Sequence, residues 1–276
     1  MLGAIAGDII GSVHEHLGTK TKDFELFVES SRFTDDSVLS IAIGYALLSK
    51  RDYGDVLRTF GRRYPRVGYG AMFQTWLYDT DPEPYGSFGN GSAMRVAPVA
   101  WAFSDLETVK EEAKKSAAVT HDHPEGIRGA QAIAGAIFLA RTGASKEEIQ
   151  QFVQSEFAYD CAQSVDELRP GYDFDVTCQG TVPAAVRAFL DAEDFEDAVR
   201  NAVSLGGDAD TLACITGAMA EPFYGGVPAE IRKEAFSRLD RLLRNVTRKC
   251  VEAFDVQLVA ADEGWEDGDD DEPDPT

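Results

Sequence analysis

The sequence predicts an all-α protein built as one domain, and three observations carry that expectation. Apolar residues recur at helical spacing in segment after segment, convincing alternating strands are scarce, and no repeat of about 20 to 50 residues marks a solenoid. At 276 residues and 44% hydrophobic composition, the chain buries a full core without having to divide.

Residues 2 to 13 put Ile5, Ile9 and Val13 on one face with small residues between them, the pattern of a tightly packed buried helix. It stops at His14-Glu15-His16-Leu17-Gly18, and residues 19 to 33 are polar and irregular. Thr34 then opens a long apolar helix reaching about Lys50, and an amphipathic helix follows from Tyr53 to Tyr64, closed by Pro65. The stretch from Gly68 to Ser92 is rich in glycine and aromatic residues. Its end, Gly86-Ser87-Phe88-Gly89-Asn90-Gly91-Ser92, runs into Ala93-Met94-Arg95-Val96. Further helices are expected over 105 to 119, 124 to 142, 145 to 157, 181 to 191, 194 to 205, 209 to 220 and 228 to about 254. In the last, Ile231, Ala235, Leu239, Leu242, Val246, Cys250 and Phe254 keep helical phase throughout. The body is expected to span residues 1 to 260, followed by a tail, residues 261 to 276, that is disordered by composition.

Formal net charge is -22, of which the nine acids between Asp262 and Asp274 supply nine, leaving -13 on the body. That balance argues against nucleic acid as the main partner and against an anionic membrane surface. The first residues, Met1 to Asp8, lack a positive n-region and Asp8 interrupts their apolar run, so they do not read as a secretory signal. No apolar stretch approaches the roughly 18 residues needed to span a bilayer. The four cysteines are scattered, as expected of reduced core thiols in a cytoplasmic protein. A monomer is expected.

Chemistry concentrates in two clusters. Phe33-Thr34-Asp35-Asp36-Ser37 sets a hydroxyl beside two carboxylates, and Gly207-Asp208-Ala209-Asp210-Thr211 repeats that set in mirror order. Thr and Asp are favoured helix caps, and first-turn acids complement the helix dipole, so either cluster alone reads as a cap. Together they form an all-oxygen donor set of the kind hard cations such as Mg²⁺ prefer, at the starts of helices apolar enough to be buried, where an uncompensated carboxylate is costly. They read as two halves of one metal site. Glu15, at the junction of a buried helix and a loop, is either a solvated acid or the free carboxylate such a site needs. The three glycines of the Gly86 to Gly91 loop allow close backbone approach and supply amides for an anion, or make an ordinary turn.

All four histidines lie in two H-x-H pairs, His14/His16 and His121/His123. A catalytic zinc on such a pair requires it at the end of a barrel strand, and eight βα units are absent. Alternate residues diverge in a helix or loop, so each pair is expected to give a site one histidine at most. A nucleophilic triad built from Ser92, Cys178 or Cys214 with His121 lacks any nucleophile-elbow context.

The motifs Gly7-Asp8…Gly11-Ser12…Glu15, Phe33 to Ser37, Phe88 to Arg95, Thr120-His121…His123-Pro124-Glu125-Gly126 and Gly206 to Thr211, in that order, resemble the ADP-ribosylglycohydrolase family. The resemblance covers residues 1 to 257. It implies an all-α, single compact multi-helix domain with two Mg²⁺ ions, or Mn²⁺, that cleaves the bond between ADP-ribose and an acceptor. By position it implies metal ligation by Thr34, Asp35, Asp36, Asp208, Asp210 and Thr211, and catalysis by Glu15, as general acid or base, and by Asp36. It implies that Gly86, Ser87, Phe88, Gly89, Asn90 and Gly91 hold ADP-ribose, the aromatic against adenine and backbone amides on the diphosphate, with His121 near the distal ribose. The expected substrate is an ADP-ribosylated protein. A small conjugate such as O-acetyl-ADP-ribose is the alternative, as is a non-catalytic ADP-ribose-binding relative, although none of the metal ligands nor the glutamate is missing. The acidic tail departs from the family pattern.

Overall fold

A computed structural model describes residues 1–256, so the expectation of a disordered acidic tail lies outside the described residues. In chain order the helices are α1 (Leu2–Gly11), α2 (Asp35–Ser49), α3 (Tyr53–Arg63), α4 (Ala71–Tyr78), α5 (Gly91–Met94), α6 (Ala97–Ala102), α7 (Leu106–Ala118) and α8 (Pro124–Arg141). They continue with α9 (Lys146–Phe157), α10 (Val165–Leu168), α11 (Cys178–Leu190), α12 (Phe195–Val203), α13 (Ala209–Phe223), α14 (Ala229–Ser237) and α15 (Arg241–Ala253). Among the described residues there is no sheet, only the isolated antiparallel bridge Gly89–Thr177, and no helix is long and apolar enough to cross a membrane. The all-α single-domain expectation is met.

Every residue of α1 is buried, and its main partner is α13. A Cβ on Gly3, Gly7 or Gly11 would meet backbone of Gly217, Ala213 or Ala209 respectively, at 2.1, 2.0 and 2.5 Å. As the α1 positions ascend the α13 positions descend, so the helices run antiparallel with their backbones touching. The end of α1 is therefore brought to the start of α13. Around this pair, α2 packs on α1, α3, α6 and α15, α11 and α12 cover α13, and α8 joins α5, α7 and α13. Gly7→Val inserts three carbons where the Ala213 carbonyl sits. Because that backbone cannot yield locally, we expect a loss of about 3 kcal/mol or more, read as a lowered urea midpoint; an unchanged midpoint contradicts the close approach.

The helix boundaries differ from expectation in places with physical causes. The segment 228 to 254 is two helices, because Asp240 accepts a hydrogen bond from Leu243 N at 3.0 Å and so caps a fresh start; the break preserves the apolar phase and is invisible to periodicity. Helix α11 starts three residues early, where Thr177 accepts from Gly180 N at 3.1 Å. Helix α4 lies inside the glycine- and aromatic-rich stretch, buried through Phe73, Trp76 and Leu77. Helices α6 and α10 were not expected. All four cysteines are buried and unpaired, as core thiols should be.

Candidate active site

The ends of three helices converge. Thr34, extended at the start of α2, brings Asp35 and Asp36 into the first helical turn, and Asp208 and Asp210 do the same at α13. Carboxylates at two helix N-termini sit in the favourable end of each dipole. From the end of α1, Asp8 reaches across: its Oδ1 accepts from Thr34 Oγ1 at 2.6 Å, and its Oδ2 accepts from Thr34 N at 2.9 Å, Ser37 N at 3.0 Å and Ser37 Oγ. Asp8 is thus the clamp that fixes the Thr34 cluster to α1. Sequence reading missed this role; the available signal was a lone carboxylate in an otherwise apolar buried helix.

Oxygens of Asp8, Asp36 and Asp210 lie within 4.8 Å of one another, and so do oxygens of Glu15, Asp208 and Asp210. Asp210 belongs to both groups, so the two halves of the predicted site come together. Thr211 Oγ1 donates to Asp36 Oδ2 at 3.3 Å. Asp36 Oδ1 is buried without a hydrogen-bond partner among the described residues.

Electrostatics follow from the crowding. Burial pushes the Asp36 and Asp210 carboxyls well above the usual range, and neighbouring carboxylates push them further. Asp35 is raised to about 8 by burial, then by Asp8, and burial also raises Asp208. An all-oxygen set with a buried, unpartnered carboxylate oxygen and this much like charge fits a hard divalent cation such as Mg²⁺ or Mn²⁺. Neither three-carboxylate group includes a sulfur or imidazole ligand. In chelated protein these groups retain protons that the unfolded chain gives up from 3.8 upward, so between 3.8 and about 8, on Asp35, stability falls as pH rises. We expect the melting temperature of chelated protein to drop across that window and added Mg²⁺ to raise it most at the alkaline end. A flat profile contradicts the crowding.

Asp35, Asp36, Asp208 and Asp210 line a cavity of about 730 Å³ that also takes in Glu15, His16, Arg32, Arg66, Met72, Tyr85, Ser87, Gly89, Asn90, Gly91, Arg95, His121, Phe174 and Val176. Glu15 is half-buried, with His16 Nε2 3.7 Å away; burial raises its carboxyl, Asp208 raises it further, and His16 and Arg32 oppose. Each H-x-H pair gives the cavity one histidine, His16 and His121. His14 instead bonds Thr19 Oγ1 at 2.8 Å and packs on Phe24, while His123 caps α8 by accepting from Glu125 N at 3.1 Å.

The glycine loop is held by the Gly89–Thr177 bridge, with Asn90 N donating to Val176 O at 2.7 Å and Cys178 N to Phe88 O at 3.0 Å. Of its predicted ligand contacts, Gly86 and Phe88 do not line the cavity; Phe88 is 47% exposed and packs against His123. The exposed aromatic on the wall is Phe174, which no sequence pattern marked. The amides of Gly86, Ser87, Gly89 and Asn90 are bonded within the protein; of the loop residues that line the cavity, Gly91 is the one whose amide is left for an anion. Asn90 Nδ2 donates to Asp208 Oδ2 at 2.7 Å and to Thr181 Oγ1 at 3.0 Å, so this side chain ties the loop to the carboxylate cluster.

Residues 1–265 match the sequence pattern of a family described as ADP-ribosylglycohydrolase. The chain belongs to the ADP-ribosylglycohydrolase family. Among its relatives, ADP-ribosylhydrolase ARH3 of Mus musculus is 28% identical over 90% of each chain. ADP-ribosylarginine hydrolase Tri1 of Pseudomonas putida (strain GB-1) is 26% identical over 86% of this chain and 74% of its own. The fold superposes on a solved "ADP-ribosylglycohydrolase-related protein complex" with a TM-score of 0.65 and 23% identity, covering 93% of this chain and 97% of that one. The last likeness is one of fold. For this family member, the cavity with its shared carboxylate cluster is the candidate active site.

Proposed function

We propose that this ADP-ribosylglycohydrolase family member is a divalent-metal-dependent hydrolase that cleaves the glycosidic bond between ADP-ribose and an acceptor, with a mono-ADP-ribosylated protein as its substrate. The observation that carries the reading is Asp210 shared between two three-carboxylate groups, one of which includes Glu15, at the wall of a cavity large enough for a nucleotide sugar. Thr34, Asp35, Asp36, Asp208, Asp210 and Thr211 would hold Mg²⁺ or Mn²⁺. Bound there, the metal supplies positive charge that orients the sugar hydroxyls and water.

The chain's own groups do the rest. Glu15, with its carboxyl raised toward neutrality, can exchange a proton at the bond being broken as general acid or base, while Asp36 and its neighbours face the positive charge that develops on the sugar. The amide of Gly91 offers a donor to the diphosphate. Phe174 on the wall offers a face for the adenine. Asn90 and Asp8 keep the carboxylates in place.

For the acceptor, arginine is placed slightly ahead of serine, with the body's negative charge steering basic protein surfaces inward. The test is ADP-ribose release from arginine-linked, serine-linked and O-acetyl-linked conjugates in parallel. We expect release from a protein conjugate, slowing as salt rises. Release confined to the O-acetyl compound would make the substrate a small molecule, and binding of ADP-ribose without any release would favour a non-catalytic relative.

A further inference from the structure

Arg95 is 1% exposed and reaches the cavity wall, yet among the described residues no carboxylate pairs with it, and its Nε and Nη1 have no hydrogen-bond partner. An unpaired buried cation is expensive, so what it touches should account for it. Its Nη2 donates to Ser116 O at 3.0 Å and to Thr120 Oγ1 at 2.9 Å. Thr120 Oγ1 in turn lies 2.7 Å from His121 Nδ1. The far nitrogen, His121 Nε2, faces the glycine loop: a Cβ on Gly91 would come within 3.1 Å of it.

Donor chemistry and the field of the guanidinium together set the direction of this chain. A guanidinium has no acceptor, so Thr120 Oγ1 accepts from Arg95 and one of its two lone pairs is taken. The hydroxyl keeps its own hydrogen, and the acceptor in reach of it is His121 Nδ1 at 2.7 Å. The guanidinium's field favours the same arrangement, because it draws the imidazole's lone pair toward itself and turns the N–H outward. Burial, and then Arg95, hold the His121 ring well below its usual range, so it is neutral. Of the other charged groups nearby, Asp122 is turned away, accepting from Gly86 N at 2.7 Å.

We propose that Arg95 and Thr120 are positioning residues that lock His121 in the Nε2–H tautomer, making it a standing hydrogen-bond donor to the ligand seated on the glycine loop. The ligand's identity rests on the proposed function; the tautomer does not. His121 then titrates nowhere in the working range and takes no proton during the reaction.

The test is the two-bond proton–nitrogen correlation spectrum of the full ¹⁵N-labelled chain with Mg²⁺, the His121 signals being identified by their loss in His121→Gln. The expected pattern is a neutral ring protonated at Nε2, unchanged across neutral pH. Thr120→Val should mix the tautomers and raise KM about tenfold with kcat changed less than about threefold, since the lost bond serves binding. Thr120→Ser should restore both. An Nδ1–H ring or an imidazolium in the native chain overturns the proposal, as does Thr120→Val with the native tautomer. Because the spectra need no substrate, a failure to find turnover would count against the proposed function and leave this proposal to stand or fall on the ring.

Discussion

Asp36→Asn and Asp210→Asn are each expected to slow ADP-ribose release by about 10²-fold or more, the scale at which an enzyme loses electrostatic stabilisation of developing charge. The two residues occupy the centre of the cluster. Asp36 carries the buried oxygen without a partner, and Asp210 is common to both carboxylate groups. Neutralising either removes an anionic oxygen from the metal's donors while leaving volume and packing nearly unchanged. The stability effect should run the other way. In chelated protein each substitution relieves repulsion among carboxyls that burial and their neighbours already push well above the usual range, so the variants should melt at or above the native temperature at neutral pH. Lost activity with retained chelated stability is the signature of a functional charge cluster. Lost activity with a collapsed melting temperature would make these acids structural.

Glu15→Gln is expected to lower kcat by about 10²-fold or more, while ADP-ribose affinity measured by calorimetry changes less than about threefold, because a proton-transfer group acts mainly on the transition state. Glu15 stands apart from the other acids in three ways. It is half-buried, it sits on the loop after α1 rather than at a helix start, and it has an imidazole beside it, His16 Nε2 at 3.7 Å. Burial raises its carboxyl, which brings its proton exchange closer to neutral pH. The pH dependence of kcat in the native chain should therefore carry a limb that Glu15→Gln lacks. Parallel loss of binding and turnover would show a ground-state role.

The parts of the site that could be read in the sequence are those where chemistry is local. Thr34-Asp35-Asp36 and Asp208-Ala209-Asp210-Thr211 announce themselves because hydroxyl and carboxylate neighbours open apolar helices, and the fold class follows from helical phase repeated along the chain. What stayed hidden depends on contacts between distant segments. Asp8 looks like an interruption in an apolar run until α1 is laid against α2, when four donors converge on it. Asn90 reads as a ligand contact, and that its amide also meets Asp208 appears only once the Gly89–Thr177 bridge has set the loop in place. Phe174 belongs to a loop with no periodicity, and nothing before folding places it on the cavity wall. The break between α14 and α15 is hidden because three residues can leave the helix without changing which face is apolar.

The account rests on the carboxylate cluster working with a divalent metal to free ADP-ribose. Its most direct test is the rate at which the full chain releases ADP-ribose from a mono-ADP-ribosylated protein, measured with Mg²⁺, after chelation, and after Mg²⁺ is restored. The predicted result is release with the metal, background when it is stripped, and recovery on its return; release at full rate from the chelated protein would contradict it.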